Sequence, residues 1–512
     1  MTLGRRTFLS GSAAGALTLG TAAAPWSVAP ALARSRPTLP SGVQSGDVTT
    51  DSAVLWARSS GPGRLVAEIR SGRRRRRVHG GWATGGSDLT AKLPLHGLAP
   101  GRDYDVRLHF ETEDGAAGEV ATASFRTASV HPSGTSFVWS GDTCGQGWGI
   151  NPDLGGMVGY RAMHRTRPDF FVHCGDTVYA DSPIAETVTE PDGQVWRNLV
   201  TPEVSKVAES LHEFRGRHRY TMLDHNVRAM YADVPLLAQW DDHETHNNWY
   251  PGQILDDVRY TERRVDVLAR RARRAWQENM PIADPRAHRH DGGFAPSRIY
   301  RKVSRGPQLD MFLLDMRTHK SPNTPGLEKE RTHIFGAEQV EWLVREVSRS
   351  RATWKFISAD LPLGLVVPDG ANQESLSNGD PGRPLGKEQE LATVLSAFKR
   401  HRVRNVVWLT ADVHYTAAHH YDPSRAAYTD FDPFWELVAG PISSGTFGPN
   451  ALDTTFGPEV VFSKTADYPG QSPRGGNQFF GHADIDRHGT LVVSLRDQAG
   501  SVLWSRTLDP EH

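Results

Sequence analysis

The sequence predicts an α/β body, a layered β-sandwich flanked by helices, preceded by a small all-β domain. Three observations carry this. Residues 40–128 break into short alternating runs separated by turns. From about residue 134 the apolar runs become continuous, and each leads straight into a polar loop. Helical stretches separate those runs, which is the order of a layered α/β fold.

In the first region the runs are "SAVLWARS", "RLVAEIR", "DYDVRLHFE" and "EVATASFRT", with turns at Gly61-Pro62-Gly63, Ala99-Pro100-Gly101 and Asp114-Gly115. This spacing predicts a small antiparallel sandwich. Within it, Arg73 to Arg77 form an unbroken arginine run, read as a solvated edge or hairpin tip, with docking to an anionic surface as the alternative. In the second region the runs are "TSFVWSGDTCGQG", "DFFVHCGDTVY", "VPLLAQWDDHE", "QLDMFLLDMR", "WKFISADLPL" and "RNVVWLTADVH". Continuous apolar strands are covered on both faces. The stretches "GAEQVEWLVREVSRS" and "EQELATVLSAFKRH" supply predicted covering helices.

With 512 residues, 38% hydrophobic and 23% charged, the chain can bury one large core and a smaller one, and nothing marks it as disordered. Its 58 basic and 59 acidic residues give a net charge of −1, so overall charge points neither to nucleic acid nor to a membrane surface. The stretch "RRTFLSGSAAGALTLGTAAAPWSVAPALA" joins Arg5 and Arg6 to a mildly apolar segment ending in Ala31-Leu32-Ala33. It has the form of a twin-arginine signal over residues 1–33, too short and too interrupted by Gly, Thr and Pro for a stable membrane anchor. The expected organisation is therefore signal 1–33, sandwich 34–130 and catalytic body 131–512, in a protein exported by the twin-arginine machinery and secreted. That route carries folded proteins, so a metal site can be filled before export.

The two cysteines, Cys144 and Cys174, exclude a disulfide scaffold. Aspartates stand out instead. The six apolar runs end at Asp142, Asp176, Asp241 with Asp242, Asp315, Asp360 and Asp412. Ligands of open α/β sheets gather at strand carboxyl ends. So many carboxylates at one edge would cost several kcal/mol per close pair if left unneutralised, so cations are required. Arginines could balance some of them, but aspartates mixed with Tyr179 and His414 resemble a ligand set for hard, multivalent metal ions.

The motifs "GDTC" (141–144), "GDTVY" (175–179), "WDDHETHNN" (240–248) and "ADVH" (411–414), in this order, resemble the calcineurin-like metallophosphoesterases, and more closely the alkaline phosphatase D family. The stretch "LPSGVQSGDVTTDSAVLWAR" (39–58) is similar to the start of that family's fibronectin-like front domain, so the likeness spans nearly the whole mature chain. The resemblance implies Fe3+ and Ca2+ as cofactors. It makes Asp142 the first metal aspartate, Asp176 the carboxylate bridging two metals, Tyr179 a tyrosinate ligand to Fe3+, and Asp242 and His414 further ligands. Asp412 is then a ligand or an acceptor fixing an imidazole, and Asp360 a ligand where the wider superfamily often has histidine. Cys144 stands where that superfamily has histidine; it is a thiolate ligand, a free thiol or the disulfide partner of Cys174. His243 faces the phosphate, where it protonates the leaving oxygen or stabilises developing charge, with Glu244 expected to orient it. Asn247 and Asn248 close the loop, and Arg317 is structural or phosphate-facing.

The implied reaction is hydrolysis of phosphoesters by a hydroxide shared between metals, with no phosphorylated residue. Substrates implied by the resemblance are small phosphomonoesters or phosphodiesters, cell-wall polymers and phospholipids. A phospholipase D-type activity is the alternative, favoured by an apolar rim at Trp148, Ile150 and Trp249-Tyr250-Pro251; a non-catalytic secreted binding protein is the second alternative.

Overall fold

The computed structural model describes residues 36–283 and 297–511. The twin-arginine segment lies outside the described residues. Two large sheets face each other. One has nine strands, in the order Val502–Leu508, Leu491–Asp497, Phe479–Ile485, Thr135–Ser140, Phe170–His173, Leu236–Ala238, Val43–Gly46, Ala53–Arg58 and Thr90–Leu95. The other has seven: Arg301–Ser304, Leu309–Leu313, Trp354–Ser358, Val406–Thr410, Phe434–Val438, Thr416–Tyr421 and Pro458–Lys464.

The continuous apolar runs are explained by which side each residue faces. Phe137, Trp139, Val172 and Leu237 of the first sheet pack against Met311, Phe356 and Leu409 of the second. Their neighbours Val138, Phe171 and Leu236 point the other way, onto the helices Val158–Arg165, Leu211–Thr221, His225–Asp233 and Val265–Asn279. On the far side, Phe312, Ile357 and Trp408 meet the helices Ala337–Arg349 and Glu388–Arg400. A strand with one face on another sheet and the other on helices has no solvent side, so it carries no polar alternation. Crossover helices force the central strands to run parallel: Phe137 pairs with Phe170, Leu236 with Phe171, Leu309 with Trp354 and Phe356 with Val407. Their carboxyl ends therefore open on common edges of the two sheets.

At the front, the four strands Arg74–Ala83, Gly63–Ser71, Asp103–Glu111 and Ala121–Arg126 form a separate sheet. It packs on Val43–Gly46, Ala53–Arg58 and Thr90–Leu95 through Leu55, Leu93, Leu65, Val106 and Phe110, which completes a sandwich. The second layer of that sandwich continues into the nine-stranded sheet, because Gly46 pairs in parallel with Leu236. A side chain is excluded there, since a Cβ on Gly46 would stand 2.6 Å from the Leu236 carbonyl oxygen. Asp47 secures the junction through Arg301 at 2.8 Å.

Candidate metal centre

Each strand of the central set ends in a turn that lifts an acid or imidazole out of the sheet. Asp142, Asp176, Asp412 and His414 all take left-handed backbone conformations, with φ of 66°, 52°, 64° and 58°. Non-glycine residues rarely adopt these, and aspartate tolerates them best. Neighbouring loops hold the turns in place. The Thr143 amide donates to the Asp176 carbonyl at 2.9 Å, the Ser443 amide to the Asp142 carbonyl at 3.2 Å, and the Ala411 amide to the Asp360 carbonyl at 2.9 Å. Strain of this kind persists where surrounding structure over-determines it, which is typical of functional sites.

Three groups of donor atoms result, those of each group lying within 4.8 Å of one another: Asp142, Asp176 and His414; Asp176, Asp242 and His243; Asp241, Asp242 and Asp412. Asp176 belongs to two groups and so does Asp242, so the three form one continuous array. Both carboxylate oxygens of Asp142, and one each of Asp176, Asp241 and Asp242, are buried without a hydrogen-bond partner. Buried charged oxygens are costly unless paired or bound to metal, so the donor set fits metal ions. Burial, partly offset by the charge of His243, leaves Asp142 raised to about 8. It also raises Asp176, Asp241 and Asp412 well above the carboxylate range. Cations at these oxygens reverse that direction.

His414 is prepared as a neutral ligand. Burial lowers its imidazole to about 4. Its Nδ1 donates to the Gly445 carbonyl at 2.6 Å, which leaves Nε2 as the acceptor facing the array. The Tyr179 hydroxyl is 2.7 Å from that Nε2. Burial, then Asp176 and Asp142, hold the phenol protonated. A phenolate at this place therefore requires a cation. Gly145 makes room for the ring, which a Cβ there would strike.

His243 lies beside Asp176 and Asp242. Its ring stacks on Tyr179 with centroids 4.2 Å apart, and its amide donates to Asp176 at 3.1 Å. Its Nδ1 faces both oxygens of Asp181, at 2.8 and 3.0 Å, and its Nε2 is 4.0 Å from Asp242. Burial opposes a charge on the ring, but Asp181, Asp242 and Asp176 outweigh it and hold the imidazole well above its ordinary range. The residue that orients His243 is thus Asp181, which the motifs do not reveal. Glu244, expected in that role, accepts from the amide and hydroxyl of Thr177, each at 2.6 Å, and from the Asp241 amide at 2.9 Å, so it braces two loops. Asp181 also accepts from the Asn247 amide at 2.8 Å, and Asn248 donates to Asp242.

Arg317 neutralises the other end of the array. Fully buried, it reaches Asp241 at 2.6 Å, Asp360 at 3.0 Å and Asp412 at 3.4 Å, and also pairs with Glu374. Lys320 adds a contact to Glu374 at 3.1 Å. Asp315 accepts from the Trp240 indole at 2.9 Å and from Thr318, and so serves the loop.

Besides Tyr179, two expected ligands lie outside the three groups. Asp360 turns one oxygen to Arg317, and its other oxygen is buried without a hydrogen-bond partner, like those of Asp241 and Asp242. Cys144 is free and buried, its sulfur 3.8 Å from that of Met157 in the helix-side apolar cluster. Burial, then the negative charge of Asp224, push its thiol well above the usual range. It is not bonded to Cys174, which is likewise free and lies in the layer between the sheets. The expected apolar rim is also corrected in part: Trp148, Ile150 and Trp249 are buried, Trp148 against Trp196 and Trp249 against Trp240.

Two facing sheets flanked by helices, with acids and histidines at the strand ends, define a metallophosphoesterase. Residues 137–504 match the PhoD-like phosphatase family and residues 22–129 match the PhoD-like phosphatase N-terminal domain, and the chain belongs to this family of phosphoric ester hydrolases. It is 27% identical over 440 residues to alkaline phosphatase D of Bacillus subtilis (strain 168), covering 80% of this chain and 70% of that protein. Among solved structures, PhoD is similar with a TM-score of 0.68 at 20% identity, over 94% of this chain and 93% of that one. The purple acid phosphatase PPD1 from yellow lupin seeds is similar with a TM-score of 0.54 at 13% identity, over 92% of this chain and 74% of that one.

Proposed function

We propose that this protein is a secreted, metal-dependent hydrolase of phosphomonoesters and/or phosphodiesters, exported through the twin-arginine signal of residues 1–33. The reading rests on one observation: three donor groups joined through Asp176 and Asp242, with His243 at the middle group. Asp142, Asp176, Tyr179 and His414 would hold Fe3+, for which a phenolate oxygen is a favourable hard ligand. The carboxylates Asp241, Asp242 and Asp412 would hold Ca2+. Bound there, the ions supply positive charge to the phosphoryl oxygens and acidify the attacking water.

The chain's own residues do the rest. Asp181 holds the His243 ring with Nε2 turned toward Asp242 and keeps the imidazole protonated. A protonated His243 can then give its Nε2 proton to the departing oxygen. Arg317 holds Asp241 and Asp412 in place without reaching solvent.

The test is kcat/KM on a phosphomonoester, a soluble phosphodiester and phosphatidylcholine, from one metal-analysed preparation with and without chelator. Chelator-sensitive turnover of the soluble esters supports the proposal. A preference for the lipid moves it to a phospholipase D-type enzyme, and no turnover of any substrate after metal reconstitution overturns it.

A further inference from the structure

A short ribbon in the connection between Trp354–Ser358 and Glu388–Arg400 reaches the loop that carries Asp242. Its two sides, Pro368–Asp369 and Asn372–Gln373, pair antiparallel, and the half-buried Asp369 stands next to the turn. Among the described residues Asp369 makes no ion pair. Its carboxylate is taken by two asparagine amides instead: Asn248 Nδ2 donates to Oδ1 at 3.2 Å and Asn323 Nδ2 to Oδ2 at 2.8 Å. The same Asn323 amide donates to the Asn248 carbonyl at 2.8 Å, so residues from three separate segments close on one another. Lys387, almost fully buried, fixes the far side. Its Nζ donates to Asn323 Oδ1 at 3.4 Å and to the carbonyls of Gln373 and Glu374 at 3.2 and 2.9 Å.

What this clamp holds is the backbone of Asn248, which sits in the left-handed region with φ of 57°. The Asn248 amide donates to Asp242 Oδ2, while Asp242 Oδ1 is buried without a partner and lies 4.0 Å from His243 Nε2. Asn248 therefore selects the oxygen that Asp242 leaves for a cation. Asp242 belongs to two of the three donor groups, so both feel any error in its position. A carboxylate suits the closing place, because it accepts from two amides at once and a charged acceptor makes the stronger hydrogen bond. We propose that Asp369 is a positioning residue of the metal centre: through Asn248 it fixes the Asp242 carboxylate, and so sets the affinity of the group formed by Asp241, Asp242 and Asp412 for a divalent cation. The inference rests on the metal-dependent reading above and names a residue that lies outside every strand-end motif.

The experiment titrates Ca2+, and in a second series Mn2+, into the iron-loaded enzyme by isothermal calorimetry, beside kcat and KM for a small phosphomonoester at each ion concentration. Asp369→Ala is expected to bind the divalent ion about 10–100-fold more weakly, the usual scale for a group that orients a metal ligand. Saturating ion should then return most of kcat with KM for the ester little changed. Asn248→Ala keeps the backbone amide but loses the contact to Asp369, and should show a similar loss; the double variant should lose no more than either alone. Iron content and the visible band should be the same in all four proteins. Equal ion affinity in wild type and Asp369→Ala would overturn the proposal, even if the metal-free variant melts earlier, and so would additive losses in the double variant. A wild type that binds neither ion beside its iron, yet keeps chelator-sensitive turnover, overturns it and leaves the functional reading in place. Asp369-dependent ion binding without hydrolysis of any phosphoester does the reverse: the functional reading fails and the positioning role stands.

Discussion

Asp181 grips His243 through both carboxylate oxygens, at 2.8 and 3.0 Å from Nδ1. The pair spans two strand-end loops, the one after Phe170–His173 and the one after Leu236–Ala238. Asp181→Asn should keep metal content but lower kcat/KM, because the ring loses the charge that keeps it protonated. The basic limb of the pH–rate profile should move to lower pH, since His243 is raised by Asp181 and falls without it. An unmoved limb would show that His243 is not the group being titrated.

His243→Ala should leave the metals bound and remove turnover by about 10²–10⁴-fold, the usual scale for a general acid. The loss should be smaller for substrates whose leaving group needs no proton. Metal analysis beside kcat on a poor and a good leaving group checks both parts.

Tyr179→Phe should abolish the visible charge-transfer band of the iron-loaded protein while the fold is kept. Cys144→Ala should leave the same band and the metal content unchanged, because its sulfur lies against Met157 and not in the array. A band lost in Cys144→Ala would return the cysteine to the ligand set.

Arg317→Met should destabilise the fold by about 3–5 kcal/mol, since it leaves buried carboxylates uncompensated. Asp241, Asp360, Asp412 and Glu374 would each be deprived of the guanidinium that now pairs with them. Thermal unfolding with and without metal would show it, with the metal-loaded protein destabilised less.

His173 is buried, and burial lowers its imidazole from 6.5 to about 3. Below 6.5 the unfolded chain takes up a proton that the native state refuses until about 3, so stability should fall as pH drops through that window. His173→Gln should flatten the fall by up to about 1.4 kcal/mol per pH unit. Denaturant midpoints across the window test it.

The order of layers, the covering helices and the strand-end acids were legible in the chain, because burial on two faces erases alternation and strand carboxyl ends collect ligands. Asp142, Asp176, Asp242, His243, Asp412 and His414 stand out by motif spacing and do meet in space. Direction was not legible. A one-dimensional sequence places Cys144 two residues from Asp142 but does not say that its sulfur turns to Met157. It offers Glu244 as the neighbour of His243, whereas the fold brings Asp181 from another strand. It sets Asp360 at a strand end like the others, yet only tertiary packing puts Arg317 against it. Periodicity and local propensity act along the chain and so determine elements. Which carboxylate meets a metal, a guanidinium or an imidazole depends on contacts between residues far apart in sequence, and those exist only once the strands have paired and the two sheets have packed together.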